Sequence, residues 1–202
     1  MKQEIIRKCL EEFKAKGIRK MTVKEIVAPL GISTKTVYKY FENKEDLLEA
    51  CLTLHYGQLQ DDLLKVLKEK KSPVYKIFKI WIGAAQQDFG TTHLFYEDLN
   101  YYYPELQDKI LKHNEKKFGE PITKVVQEGF SKGYFRKELN PNLVMEACSS
   151  IYAMLTRTPT FKKYKLHPYQ IAENTVGVFL RGICTTKGLR ELETYGSELK
   201  FN

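Results

Sequence analysis

The chain has 202 residues, 43% of them hydrophobic and 29% charged, which is enough to bury a core and too apolar for a disordered chain. No apolar run approaches the ~18 residues needed to span a bilayer, and the opening MKQEIIRKCLEEFKAKG spreads charges through the stretch where a secretory signal would be continuously apolar. The net charge of +8 is concentrated at one end: residues 1–44 hold eleven Lys/Arg against five Asp/Glu, a net of +6, and the rest of the chain only +2. Such an asymmetry points to a polyanion at the N-terminal end.

Apolar spacing reads as helix almost throughout, so the expected class is all-α with about nine helices. The first helix spans about Lys2 to Lys16, with Ile6, Cys9, Leu10 and Phe13 on one face and Gly17 as its stop. A short second helix carries Val23, Ile26, Val27 and Leu30, and Thr22 with Glu25 three residues on forms a capping box at its start. Gly31 breaks the pattern, Ser33 caps a third short helix ending near Phe41, and Asn43 caps a long fourth one that runs to KEKKSP. Pro73 opens a helix with Ile77, Phe78, Trp81 and Ile82. The aromatic segment LFYEDLNYYYP follows, and then a long helix from Pro104 to Gly133. Asn140-Pro141 starts a helix to about Arg157, and His167-Pro168 starts a last one ending near Gly188. The expected division is a head at 1–45 and a larger helical bundle at 46–202.

Cys9, Cys51, Cys148 and Cys184 are far apart and form no CxxC pair, which suits a reducing, cytoplasmic setting. His93, His113 and His167 have no partner at metal-ligand spacing, so neither metal nor cofactor is expected. An enzyme is not indicated: GxSxG, HExxH and phosphate-binding glycine loops are missing, and Glu97 and Asp98 have no neighbour that makes an acid/base pair.

Residues 22–48, TVKEIVAPLGISTKTVYKYFENKEDLL, carry the function. Two short helices joined by a glycine-containing turn describe a helix-turn-helix. Ile26, Leu30, Ile32, Val37 and Phe41 pack inward, which leaves Thr34, Lys35, Thr36, Tyr38, Lys39 and Tyr40 to face the major groove of double-stranded DNA. Thr22, the turn region Ile26 to Gly31, Ser33, Thr36-Val37-Tyr38, Tyr40-Phe41 and Asn43-Lys44-Glu45 resemble, in order and spacing, the TetR family of bacterial transcriptional regulators. The resemblance covers roughly residues 5–50.

It implies phosphate contacts from Thr22 and Lys44 at two helix N-termini and backbone contacts from Thr36, Tyr38 and Tyr40. It places Thr34, Lys35, Lys39 and Lys24 where family members read sequence. Two positions depart from the pattern. Pro29 in the last turn of the second helix removes a hydrogen-bond donor and should shorten or kink it, and Lys35 stands where many relatives have a small residue.

The resemblance further implies a homodimer on a palindromic operator, without membrane attachment, and a body that binds a largely apolar small-molecule effector. The aromatic residues Trp81, Phe89, Phe95, Tyr96 and Tyr152 are the candidate effector site. Leu155, Val176, Phe179 and Ile183, on the last two long helices, are the candidate dimer contacts. Constitutive or partner-controlled DNA binding without a small molecule is the open alternative.

Overall fold

The computed structural model describes all residues except 90–92, 158–160, 162, 165 and 195–202. Eleven α-helical segments and no strand are found among the described residues. They are α1 (Lys2–Lys16), α2 (Val23–Val27), α3 (Thr34–Val37), α4 (Lys44–Lys68), α5 (Pro73–Phe89), α6 (His93–Tyr102), α7 (Pro104–Ser131), α8 (Pro141–Arg157), α9 (Pro168–Ala172), α10 (Val178–Ile183) and α11 (Thr186–Thr194).

Packing divides the chain into two compact units, Met1–Asp61 with Thr91–Glu115 and Asp62–Gly90 with Lys116–Asn202, a division that does not follow the expected boundary at residue 45. The head forms one body with α6, which lies against α1. About 45 residues bury too little apolar surface to stand alone, and α6 supplies Phe95 and Leu99, both fully buried. The remaining core of this unit comes from Ile5, Cys9, Phe13, Ile18, Ile26, Val37, Leu47, Leu48, Cys51 and Leu52. The second unit is organised around α5, whose Val74, Ile77, Phe78, Trp81 and Ile82 meet Val126, Cys148, Leu155, Val176, Leu180 and Ile183.

Two helix ends differ from the sequence reading. The third helix stops at Val37 instead of near Phe41; Tyr38 to Tyr40 continue as a tighter turn, with Tyr40 N–H bonding to the Val37 carbonyl at 2.9 Å. The last helix does not run to Gly188. It holds a π-turn over Glu173–Gly177 and ends at Ile183, because the segment 134–136 takes the backbone groups a helix would use. Arg136 N–H bonds to the Ile183 carbonyl at 3.0 Å, and Thr185 N–H to the Tyr134 carbonyl at 2.9 Å. Gly188 is no stop signal: a β-carbon there would lie 2.4 Å from the Tyr134 carbonyl oxygen, so the glycine permits a close approach inside α11.

Candidate nucleic-acid interface

The head is built by caps. Thr22 Oγ1 accepts from Glu25 N–H at 3.3 Å, and Glu25 Oε2 accepts from the Thr22 backbone N–H at 2.8 Å and its hydroxyl at 2.7 Å. The Thr22 backbone N–H, then its hydroxyl, holds the Glu25 carboxyl below the usual range. α2 ends at Val27, where the chain tightens into a 3₁₀ turn, Ala28–Leu30, as Pro29 demands. Gly31 follows at φ 64°, a left-handed conformation that disfavours residues with a β-carbon. Ser33 then caps α3: its Oγ accepts from Thr36 N–H at 3.2 Å and lies 3.0 Å from Thr36 Oγ1. Asn43 caps α4 through Asp46 N–H at 2.9 Å, and Asp46 returns a bond to Glu42 N–H at 3.0 Å.

This scaffold buries Val37 and Phe41 and leaves Lys24, Lys35, Tyr38, Lys39 and Tyr40 exposed, with Thr34 and Thr36 half-buried. On α1, by contrast, Lys8 and Lys16 are bridged to Glu11 and Glu12 at 2.6 and 2.5 Å. No acid pairs with Lys24, Lys35 or Lys39 among the described residues, so the positive potential of this face is not locally neutralised. Half of the Tyr38 surface is exposed, beside the exposed Tyr40.

Lys44 is placed differently from an open surface lysine. It is half-buried, its Nζ donates to the Ile18 carbonyl at 2.6 Å, and burial lowers its pKa against the opposing pull of Asp98 and Glu25. The other face of the same turn is held by Asp98 of α6, whose Oδ2 accepts from Ile18 N–H at 2.7 Å and Arg19 N–H at 2.8 Å. Gly17, at φ 83°, makes room for that carboxylate, since a β-carbon would lie 2.7 Å from Oδ2. Arg19 adds a bond to the Tyr102 hydroxyl and lies 4.5 Å from that ring's centre.

The turn that sets the angle between α1 and α2 is thus gripped by α4 on its carbonyl and by α6 on its N–H groups. Sequence reasoning passed over Asp98. Locally it is one of two adjacent acids, Glu97 and Asp98, on α6, and the groups it binds, Ile18 and Arg19, lie about 80 residues away. Asp98→Ala is expected to lower the stability of the folded chain by about 2 kcal/mol, the scale of hydrogen bonds to a charged group with one end in solvent. Urea titration and hydrogen exchange at the Ile18 and Arg19 amides check it; unchanged protection at both amides would refute the clamp.

The other expected residues fall in two groups. Phe95 and Tyr96 are buried together with His55 in the first unit, where Tyr96 Oη and His55 Nε2 are 2.7 Å apart. Trp81 meets Tyr152 edge-on at 5.7 Å in the second unit, and its indole N–H is buried with no partner. The side chain of Phe89 lies outside the described residues. Of the expected dimer contacts, Leu155, Val176 and Ile183 are buried in the core of their own subunit, and Phe179 is half-buried against it. Helical spacing marks apolar positions but not which of two apolar neighbours faces inward. On these helices the exposed apolar positions are Leu143, Met154 and Val178.

The capped turn, the short recognition helix and its exposed lysines and tyrosines define a helix-turn-helix DNA-binding protein. Residues 5–51 match the family model for bacterial regulatory proteins of the tetR family. Over 93% of its length it is 22% identical to the HTH-type transcriptional repressor KstR2 of Mycolicibacterium smegmatis, of which the match covers 92%. Its fold is similar to a TetR/AcrR-family regulator from Thermobifida fusca, with TM-score 0.69, 19% identity and coverage of 90% of this chain and 97% of that one. It is also similar to FadR from Bacillus subtilis in complex with stearoyl-CoA, with TM-score 0.64, 20% identity and coverage of 90% and 98%. No helix among the described residues is long and apolar enough to cross a membrane.

Proposed function

We propose that this regulator is a homodimeric repressor that binds a two-fold symmetric operator and is released by a largely apolar small molecule held in its helical body. The observation that carries the DNA half is the exposed face of α2, α3 and the turn after α3, where three lysines without acidic partners among the described residues stand beside two exposed tyrosines. Two heads related by a two-fold axis match a palindrome, and the exposed Leu143, Met154 and Val178 supply apolar surface for the second copy. The similarity to a repressor supports the sign of regulation. The relative solved with stearoyl-CoA supports a long apolar effector. Within the first unit, Asp98 ties α6 directly to the turn between α1 and α2.

Selection of bound duplexes from a random pool tests this reading: palindromic enrichment is expected, and its absence would count against it. Within that experiment two classes of variant separate. Tyr38→Phe is expected to weaken binding to all sequences about equally, as the loss of a phosphate contact does. Lys35→Ala is expected to change the preferred sequence, since a good base contact discriminates by ~1–3 kcal/mol. Lys44→Ala has a double effect, because it removes both a cation near the DNA face and the donor to the Ile18 carbonyl. It should lower affinity and also stability, the latter by about 1 kcal/mol. A selected motif that survives Lys35→Ala unchanged would remove the role assigned to Lys35.

A further inference from the structure

His55 of α4 is 1% exposed, and its Nδ1 has no hydrogen-bond partner. Three aromatic rings surround it: Tyr56, Phe95 and Tyr96, with ring centres 5.5, 5.8 and 5.9 Å away. Its other nitrogen, Nε2, lies 2.7 Å from Tyr96 Oη. Which partner donates depends on the imidazole tautomer; in the tautomer where the Tyr96 O–H donates to Nε2, Nε2 carries no proton. The imidazole proton then sits on Nδ1, a donor among aromatic faces. A buried donor without an acceptor costs about 1–3 kcal/mol, and such orphans are rare in native proteins unless something outside the chain completes them.

We infer that His55 is the polar recognition point of the effector site, where Nδ1–H donates to a neutral carbonyl oxygen on an otherwise apolar ligand. This rests on the effector-gated reading above and adds the ligand's chemistry. Burial, with Lys14 as a lesser contributor, pushes the imidazole pKa down to about 3, so the ring is neutral at physiological pH. A carboxylate brought there would lose its hydration against a buried, neutral ring, whereas a ketone, ester or thioester carbonyl asks for one hydrogen bond and receives it. The aromatic rings favour an apolar frame around that carbonyl.

The test uses two small probes of nearly the same shape: cyclohexanone, which has the acceptor, and methylenecyclohexane, which lacks it. In the full-length protein, ¹⁵N resonances of the imidazoles are followed as each probe is added, together with melting temperature. Cyclohexanone is expected to shift the His55 Nδ1 resonance and raise the melting temperature, and methylenecyclohexane to leave Nδ1 unmoved. His55→Phe, which keeps an aromatic ring in the layer, is expected to weaken cyclohexanone about tenfold, the scale of one buried hydrogen bond. Tyr96→Phe is a second variant: it removes the hydroxyl that holds the proton on Nδ1, so it too is expected to weaken cyclohexanone, and unchanged binding in it would count against the assigned tautomer.

Equal response to both probes, or cyclohexanone binding unchanged in His55→Phe, would overturn the inference. So would an Nδ1 that stays bonded to a structural water throughout. Operator binding by the wild type is measured in parallel: its loss would sink the regulatory reading, whereas operator binding with an indifferent His55 sinks only this one.

Discussion

Operator affinity is expected to fall about 250,000-fold between 50 and 200 mM monovalent salt, with a slope of log K against log salt near −9 for about five phosphates neutralised per protomer. The physical basis is the release of counterions condensed on the duplex when lysines replace them. The head has the charge for it, a net of +6 over residues 1–44, and the lysines of its exposed face are not paired with acids, unlike Lys8 and Lys16 of α1. Lys35→Ala and Lys39→Ala should each flatten the slope by about 1 if they touch phosphate, and leave it unchanged if they touch only bases. Fluorescence anisotropy with a selected duplex at four salt concentrations measures it. A slope shallower than about −4 would mean that most of the basic face is turned away from DNA.

Acid is expected to destabilise the protein through His55, by on the order of 3 kcal/mol between pH 7 and pH 4. The imidazole has an ordinary pKa of 6.5 in the unfolded chain, and burial, then Lys14, lowers it to about 3 in the fold. Between those values the unfolded state binds the proton and the folded state does not, so each unit of pH favours unfolding by about 1.4 kcal/mol. The contribution is fully present above pH 6.5, declines as pH falls below it, and reaches its end near pH 3. Carboxylates add their own acid dependence, so the comparison is between wild type and His55→Phe, each unfolded in urea at pH 7, 5.5 and 4. The variant should lose markedly less stability on acidification. Parallel losses would show that His55 titrates near its ordinary value, and hence that it is hydrated.

The head was legible in the sequence because its structure is local. Thr22 and Glu25 are three residues apart, Ser33 and Thr36 likewise, and Asn43 reaches Asp46 across one turn. A cap works through the first turn of its own helix, so residue type and spacing suffice to predict it. Pro29 told in the same way where α2 would tighten. The exposure of Lys35, Tyr38, Lys39 and Tyr40 followed from periodicity, since Val37 and Phe41 are one turn apart and one face can be buried at a time.

What the tertiary structure alone decided depends on residues far apart in the chain. Helical spacing shows that 176 and 183 are apolar; only the packing of α5 against these helices determines that they face inward and leave Val178 outside. Locally, Thr185 marks only the start of α11, accepting from Gly188 N–H at 3.2 Å; the break after Ile183 is fixed by a strap some fifty residues upstream. Asp98 reads as an idle acid until the turn at Gly17 is brought against it, and His55 reads as one more position on the apolar stripe of α4 with Cys51 and Leu52 until Tyr96 meets it. Sequence determines what a segment can bury and how it begins and ends, through interactions within a turn or two. Which buried polar group finds a partner is settled when distant helices meet, because a hydrogen bond forms only within about 3 Å and spacing along a helix does not say what lies across from it.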